Sequence, residues 1–251
     1  MLKIKSTKQL ANLSYMNAII YGVSGIGKTV LCSTAPNPLL LSAEQGLLSL
    51  AGKDIDTVDI NGLDEIHEAY KFLKNEEHKY DSVCFDSISE IAEKILVAYK
   101  KEERDPRAAY GRMADEIIAI VRKFKALPMH VFFIAKQGRI EDAFSGKTNY
   151  GPSYPGQVLT QNLSYHLDLV LAMRMGKHEG KQFRYLQAKP DIQYEAKDRS
   201  GCLSSKEKPD LSILVDKIKA AKKSTEDDET IIDDASEEQP KTETQTKEEK
   251  E

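Results

Sequence analysis

Eight consecutive residues, Gly22-Val-Ser-Gly-Ile-Gly27-Lys28-Thr29, bring three glycines, a lysine and a hydroxyl into one short stretch. A backbone that turns its N–H groups inward around an anion needs positions without a Cβ, and glycine supplies them. Lys28 offers an ammonium to a phosphate chain, and the Thr29 hydroxyl offers an oxygen to a divalent cation. The spacing fits GxxxxGK[ST] at every fixed position, with an apolar run over Asn17–Gly22 before it and a helical stretch over Lys28–Ala35 after it. A chance glycine-rich turn would not require that strand–loop–helix setting. The expected ligands are ATP and Mg²⁺. The expected nucleotide contacts are Gly22, Val23, Ser24, Gly25, Ile26, Gly27, Lys28, Thr29 and Val30, aided by a helix N-terminus that favours negative charge.

A triphosphate site of this kind needs a second metal ligand at the tip of a neighbouring buried strand. Tyr80-Asp-Ser-Val-Cys-Phe-Asp86 provides one: Asp86 closes the strand, at the end where open α/β sheets bind ligands. Asp81 is the rival, but it precedes the strand and faces the other end. Asp86 also has a plain reading as a cap for the helix starting at Ile88, which is compatible with metal binding. Hydrolysis further needs a group to polarise water. The residue after Asp86 is Ser87 rather than a glutamate, and Glu90 lies a helical turn beyond. Glu44 ends the apolar run Leu39–Ala43 and is the expected base; the competing reading is a surface glutamate in the turn Glu44-Gln-Gly46.

These residues need a sheet to hold them. Short apolar runs at Asn17–Gly22, Leu39–Ala43, Thr57–Ile60, Ser82–Phe85 and Met129–Ala135 read as strands. Between them, helical spacing is read over Leu63–Leu73, from Ile88 to about Lys101 and from about Ala109 to Leu127. Gly138–Gly156 shows no periodicity, and His166–Arg174 with Gln182–Ala188 reads as a strand pair joined near Gly176–Gly180. Strands alternating with helices imply an α/β fold with a mainly parallel sheet flanked by helices. The expected layout is an N-terminal segment over 1–16, a P-loop NTPase domain over 17–217 and an acidic tail over 218–251.

The net charge of −4 conceals an asymmetry: Ser224–Glu251 holds twelve acidic residues against three lysines, leaving 1–223 mildly basic. The tail is too polar to bury a core and is expected to be disordered. It either solubilises the chain or competes with nucleic acid for the basic surface. Three scattered cysteines, no long apolar span and no apolar leader point to a cytoplasmic protein with no membrane partner. The five histidines show no metal-ligand spacing.

The set GVSGIGKT, LLLSAEQG, VCFDS and VFFIAKQ resembles the RecA-like recombination ATPases, whose catalytic glutamate ends the strand after the P-loop helix. More closely, it resembles the compact phage-encoded RecA-core proteins of the Sak type, which act in single-strand annealing and recombination. The resemblance covers about residues 15–215. It implies that Gln137 senses the γ-phosphate, that Gly138–Gly156 contacts DNA, and that Lys197 and Arg199 reach a neighbouring subunit's phosphates. The implied partners are single-stranded DNA, further copies of the chain in a ring or filament, and a single-strand DNA-binding protein. RecA's separate N-terminal and C-terminal domains have no counterpart here.

Single strands are held by cations that track phosphates and by rings on which bases stack. Arg139, Phe144, Lys147, Tyr150 and Tyr154 fit that description, beside the opposing acids Glu141 and Asp142. Arg107 and Arg112 form a second basic patch around Tyr110, and a merely solvated inter-helix connection explains it equally well. From another class, a nucleotide-switched oligomeric remodeller of proteins would carry the same P-loop without touching DNA. A small-molecule kinase would want an arginine-rich lid, and 136–165 has only Arg139.

Overall fold

The computed structural model describes residues 15–44, 46–141 and 148–221. Its centre is strand β1, Asn17–Gly22, in which all six residues are buried. A strand covered on both faces needs apolar side chains on both. Accordingly Ile19 and Tyr21 enter one core while Ala18 and Ile20 enter the other. The remaining strands are β2 (Pro38–Ser42), β3 (Thr57–Asp59), β4 (Ser82–Asp86), β5 (His130–Glu141), β6 (Thr148–Ser153), β7 (Leu169–His178), β8 (Lys181–Gln187), β9 (Lys197–Asp198) and β10 (Lys206–Glu207). They form one sheet in the order β10-β8-β7-β1-β5-β4-β2-β3, with β6 added to β5 and β9 to β7. From β7 to β3 along this path neighbours run parallel. The outer pairs are antiparallel.

One face is covered by helices α2 (Leu63–Asn75), α3 (Ile88–Glu102), α4 (Pro106–Lys125) and α5 (Gln157–Asn162). The other face carries α1 (Lys28–Cys32), the 3₁₀ turn Leu47–Leu50 and a helix α6 over 211–221. Between sheet and helices, Phe85 stacks on Phe133 and meets Phe124 edge-on, both at 4.8 Å between ring centroids. Such offset and T-shaped pairs exceed simple area burial in worth. Helix α4 is capped at both ends: Asp105 accepts from the Arg107 N–H ahead of Pro106, and three basic residues occupy the last turn.

Several expectations change in detail. The helix after Lys28 ends at Cys32 rather than Ala35. The segment Gly138–Gly156 is no structureless loop: β5 runs on to Glu141 and pairs antiparallel with β6, Lys136 facing Ser153 and Glu141 facing Thr148. Alternation is hidden there because burial along β6 does not alternate: Thr148–Tyr150 are half-buried, and Gly151 and Pro152 are both buried. The pair β7–β8 is joined by Glu179 and Gly180, both left-handed (φ 48° and 79°). Two such residues make the turn whose twist matches a hairpin. Helix α6 crosses residue 217, so the folded domain extends past that boundary. The acidic tail lies outside the described residues.

His130 starts β5 and is 3% exposed, and its Nδ1 accepts from the Met16 N–H at 2.9 Å. Burial, with Lys219 adding to it and Asp81 opposing, pushes its pKa down to about 4. A depressed imidazole pKa contributes stability above the ordinary value of 6.5, and that contribution drains away as the pH falls towards 4. We therefore expect urea midpoints of the wild type to fall between these two pH values. The slope should flatten in His130→Asn, which keeps an acceptor without a titrating ring.

Candidate active site

The P-loop leaves β1 at Gly22 and leans on β7. A Cβ on Gly22 would stand 2.8 Å from the Met173 carbonyl oxygen, so only glycine lets the backbone pass. Gly25 and Gly27 adopt left-handed φ of 76° and 104°, turning the loop back on itself ahead of α1. Lys28 is drawn over this loop, its Nζ donating to the carbonyls of Gly22 (2.8 Å) and Val23 (3.0 Å). Burial lowers its pKa, while Glu44 and Asp86 pull the other way.

Strand β5 stands between the P-loop strand and the strand that bears the acid. The Thr29 hydroxyl nevertheless reaches across to donate to Asp86 Oδ2 at 2.7 Å. Asp86 is 3% exposed. Its carboxyl is held above the usual range by burial first and by the nearby charge of Glu44, against the Thr29 bond and Lys28. Asp81 is excluded: it sits at the amino end of β4, where its N–H donates to Asn37 and its carbonyl accepts from His130. Among the described residues no three or more His, Cys, Asp or Glu cluster as a metal cage. One hydroxyl plus one carboxylate fits Mg²⁺, which takes few protein ligands and completes its shell with phosphate oxygens and water. A buried carboxylate held against its own desolvation is suited to such a cation.

Strand β2 pairs in parallel with β4, Ser42 beside Asp86, and the Ala43 N–H donates to the Asp86 carbonyl at 2.7 Å. Glu44 thus leaves the sheet next to the acid. Its Oε1 accepts from the Ser87 hydroxyl at 2.5 Å, and the side chain stays exposed to the crevice. Ser87 in turn accepts from the Glu90 N–H and caps α3. Glu90 is occupied elsewhere, in an ion pair of 2.8 Å with Lys136. Sequence reasoning noted Ser87 only as a missing acid; its neighbour Glu44 is 43 positions away, so only the sheet reveals the pair. Gln137 follows Lys136, the register partner of Gly22, and so lies beside the start of the P-loop.

With this geometry in view, comparison with known families is decisive: the AAA domain family matches residues 14–200. The chain belongs to the AAA domain family. As in that family, the domain is a P-loop ATPase-type nucleotide-binding fold. Among solved structures it is similar to the KaiC-like protein PH0186 from the hyperthermophilic archaeon Pyrococcus horikoshii OT3, at 12% identity and a TM-score of 0.40, covering 68% of this chain and 77% of that one. No curated protein matches it. No helix among the described residues is long and apolar enough to cross a membrane.

Other expected site residues of this AAA domain lie apart. Lys197 and Arg199 are at the amino ends of the central strands, where Lys197 pairs with Val170 and Leu169 with Ala18. Lys197 donates to the carbonyls of Ser164 and Leu167, and Arg199 to Asp168 and the Tyr165 carbonyl. Neither meets the P-loop of its own subunit. Tyr154 corrects an expectation: it is 8% exposed and part of the core, so it offers no ring to a base. Arg112 is engaged by Glu102 and Glu103 and lies over the Tyr99 ring at 4.1 Å, which favours the structural reading of that arginine. Arg107 and Arg139 are exposed, and Tyr150 stacks on Tyr194 at 4.9 Å. Phe144 and Lys147 fall outside the described residues.

The raised carboxyl of Asp86 has a consequence for stability. A raised acid pKa stabilises the fold at low pH and loses that contribution as the pH climbs through it, so the ionised group is a cost at neutral pH. We expect Asp86→Asn, without nucleotide or metal, to melt at or a few degrees above the wild type. Mg²⁺ with ATP should raise the melting temperature of the wild type and not that of the variant. Scanning fluorimetry with and without Mg²⁺ and ATP reads both.

Proposed function

We propose that this AAA domain protein is a Mg²⁺-dependent ATPase that uses Glu44 as its base and acts on single-stranded DNA, promoting annealing or strand pairing. The observation that carries the hydrolytic part is the placement of Glu44 beside Asp86, pinned through Oε1 by Ser87. With Oε1 engaged, Oε2 remains to accept a proton from attacking water. Lys28 gives up the two loop carbonyls for the β- and γ-phosphates, and the loop N–H groups hold the chain still. Mg²⁺ held by Thr29 and Asp86 would neutralise charge developing on the phosphate oxygens. Gln137, one residue past the strand position level with Gly22, is placed to sense the terminal phosphate and pass its presence into the hairpin β5–β6.

That hairpin supports the DNA reading. It continues directly from the strand beside the P-loop and bears Arg139 and Tyr150. Tyr110, beside the second basic patch, packs against Gly156 just beyond β6, 3.0 Å from where a Cβ would stand. Helix α4, which bears Arg107 and Arg112, thus meets the chain just beyond β6. Lys197 and Arg199, at the opposite end of the sheet, would serve a neighbour stacked head to tail in a homo-oligomer. The phage recombination setting rests on the family resemblance.

Turnover measured with and without single-stranded DNA tests this. Lys28→Ala should abolish hydrolysis. Glu44→Gln should keep ATP binding and lose turnover by roughly 10²–10⁴-fold, the range of general base catalysis. Single-stranded DNA should stimulate the wild type and bind more weakly as salt rises. Undiminished turnover in Glu44→Gln would show that another group is the base; no DNA binding at low salt, with or without ATP, would remove the DNA role.

A further inference from the structure

The hairpin β7–β8 runs alongside the P-loop and places an arginine there. In this hairpin Met173 faces Leu186 and Met175 faces Arg184. Met173 and Leu186 belong to the core on the P-loop side of the sheet, with Ile26 and Leu31. Side chains two apart on a strand share a face, as do residues directly opposite each other. Arg184 therefore rises on the P-loop side. Its guanidinium lies against the loop itself: a Cβ on Gly27 would stand 3.7 Å from both Cζ and Nε of Arg184, and 3.7 Å from Cε of Met173. Gly27 is the residue immediately before Lys28.

Several cations of the domain are paired within the fold. Lys136 is paired with Glu90 and Glu93, Arg112 with Glu102 and Glu103, Arg174 with Asp191, and Arg199 with Asp168. Arg184 is exposed, and among the described residues it has no hydrogen bond, ion pair or ring partner. A flexible charged side chain ordered against a backbone loop, without a partner, gives up rotamer freedom for nothing in the free protein. A polyphosphate in the adjacent cradle supplies the missing partner, and a guanidinium forms two parallel bonds to phosphate oxygens where an ammonium offers a point charge.

We propose that Arg184 is a nucleotide-binding residue: it contacts the phosphate chain of ATP from the same subunit, completing the cradle on the side of Gly27. This rests on the P-loop being the nucleotide site and adds to it a residue from a hairpin more than 150 positions away in sequence. It also gives the β7–β8 hairpin a part in binding. Whatever holds that hairpin in place then sets affinity.

The test is competition against a fluorescent ATP analogue by Mg-ATP, Mg-ADP and inorganic tripolyphosphate, using wild type, Arg184→Ala, Arg184→Lys and Lys28→Ala. Arg184→Ala should weaken all three competitors by about tenfold, the scale of one lost charge-assisted bond. Arg184→Lys should recover only part of this. The melting temperature of the free Arg184→Ala protein should be unchanged, since the side chain is exposed and unpaired. Unaltered affinities in Arg184→Ala overturn the proposal. So does a loss confined to the nucleotides with tripolyphosphate unaffected, which would place Arg184 on the base or ribose. Failure of the wild type to bind the analogue, or unimpaired binding by Lys28→Ala, would instead undo the underlying assignment of the P-loop.

Discussion

The contact between the Thr29 hydroxyl and the Asp86 carboxylate joins the first turn of α1, which follows β1, to the end of β4, and β1 and β4 are not neighbours. Strand β5 lies between β1 and β4, so the 2.7 Å approach depends on the register that each of them keeps with β5. Gly22 is level with Lys136, and Phe85 with Phe133, which sets both active ends on one rim of the sheet. The aromatic packing of Phe85, Phe133 and Phe124 beneath that rim resists any slip. A one-residue slip would also turn every buried side chain of a strand to the wrong core. The Thr29–Asp86 pair is thus a consequence of the core, and its desolvated carboxylate is a cost that the core sustains.

The same logic places Glu44, the proposed base. Parallel pairing of β2 with β4 carries Glu44 out next to Asp86. Ser87 then does two things with one hydroxyl: it donates to Glu44 and accepts from the first turn of α3. A hydroxyl suits that position, because an ionised glutamate following Asp86 could accept but could not donate to Glu44. The proposed base thus stands on the strand next to Asp86, and the serine that follows Asp86 anchors it.

Much of this was legible in the residues. The P-loop, the carboxyl-terminal position of Asp86 and the end-of-strand position of Glu44 follow from apolar runs that end in chemistry-bearing residues. Strand order was not legible, since periodicity says which faces are buried and nothing about who pairs with whom. The β5–β6 hairpin escaped notice because burial along β6 does not alternate, Gly151 and Pro152 being buried in succession after three half-buried residues. Tyr154 shows the opposite failure: an aromatic amid glycines and prolines resembles an exposed ring, yet it lies in the core with Leu159 and Leu163. Arg112 looked available because its partners, Glu102 and Glu103, belong to the preceding helix end. Composition cannot distinguish a paired cation from one awaiting a ligand.

Tyr21 shows how closely the cradle is tied to the surfaces around it. It immediately precedes Gly22, is fully buried, and its hydroxyl meets two carbonyls, Tyr150 at 3.0 Å and Glu195 at 2.7 Å. A hydroxyl has one proton, so the two acceptors share it, and burial keeps that proton on the ring oxygen. The first carbonyl belongs to β6; the second belongs to the segment leading into Lys197. One phenol therefore fixes the P-loop strand to the hairpin at one end of the sheet and to the chain that turns towards the other end. A displacement of Gly22 on phosphate binding must either carry β6 with it or weaken these bonds in a dry interior, where an unsatisfied polar group is costly. The same stretch of β6 is also bonded to the segment before Lys197, the Tyr150 N–H donating to the Gln193 carbonyl and the Tyr150 carbonyl accepting from the Glu195 N–H, so any movement of Gly22 is shared by both.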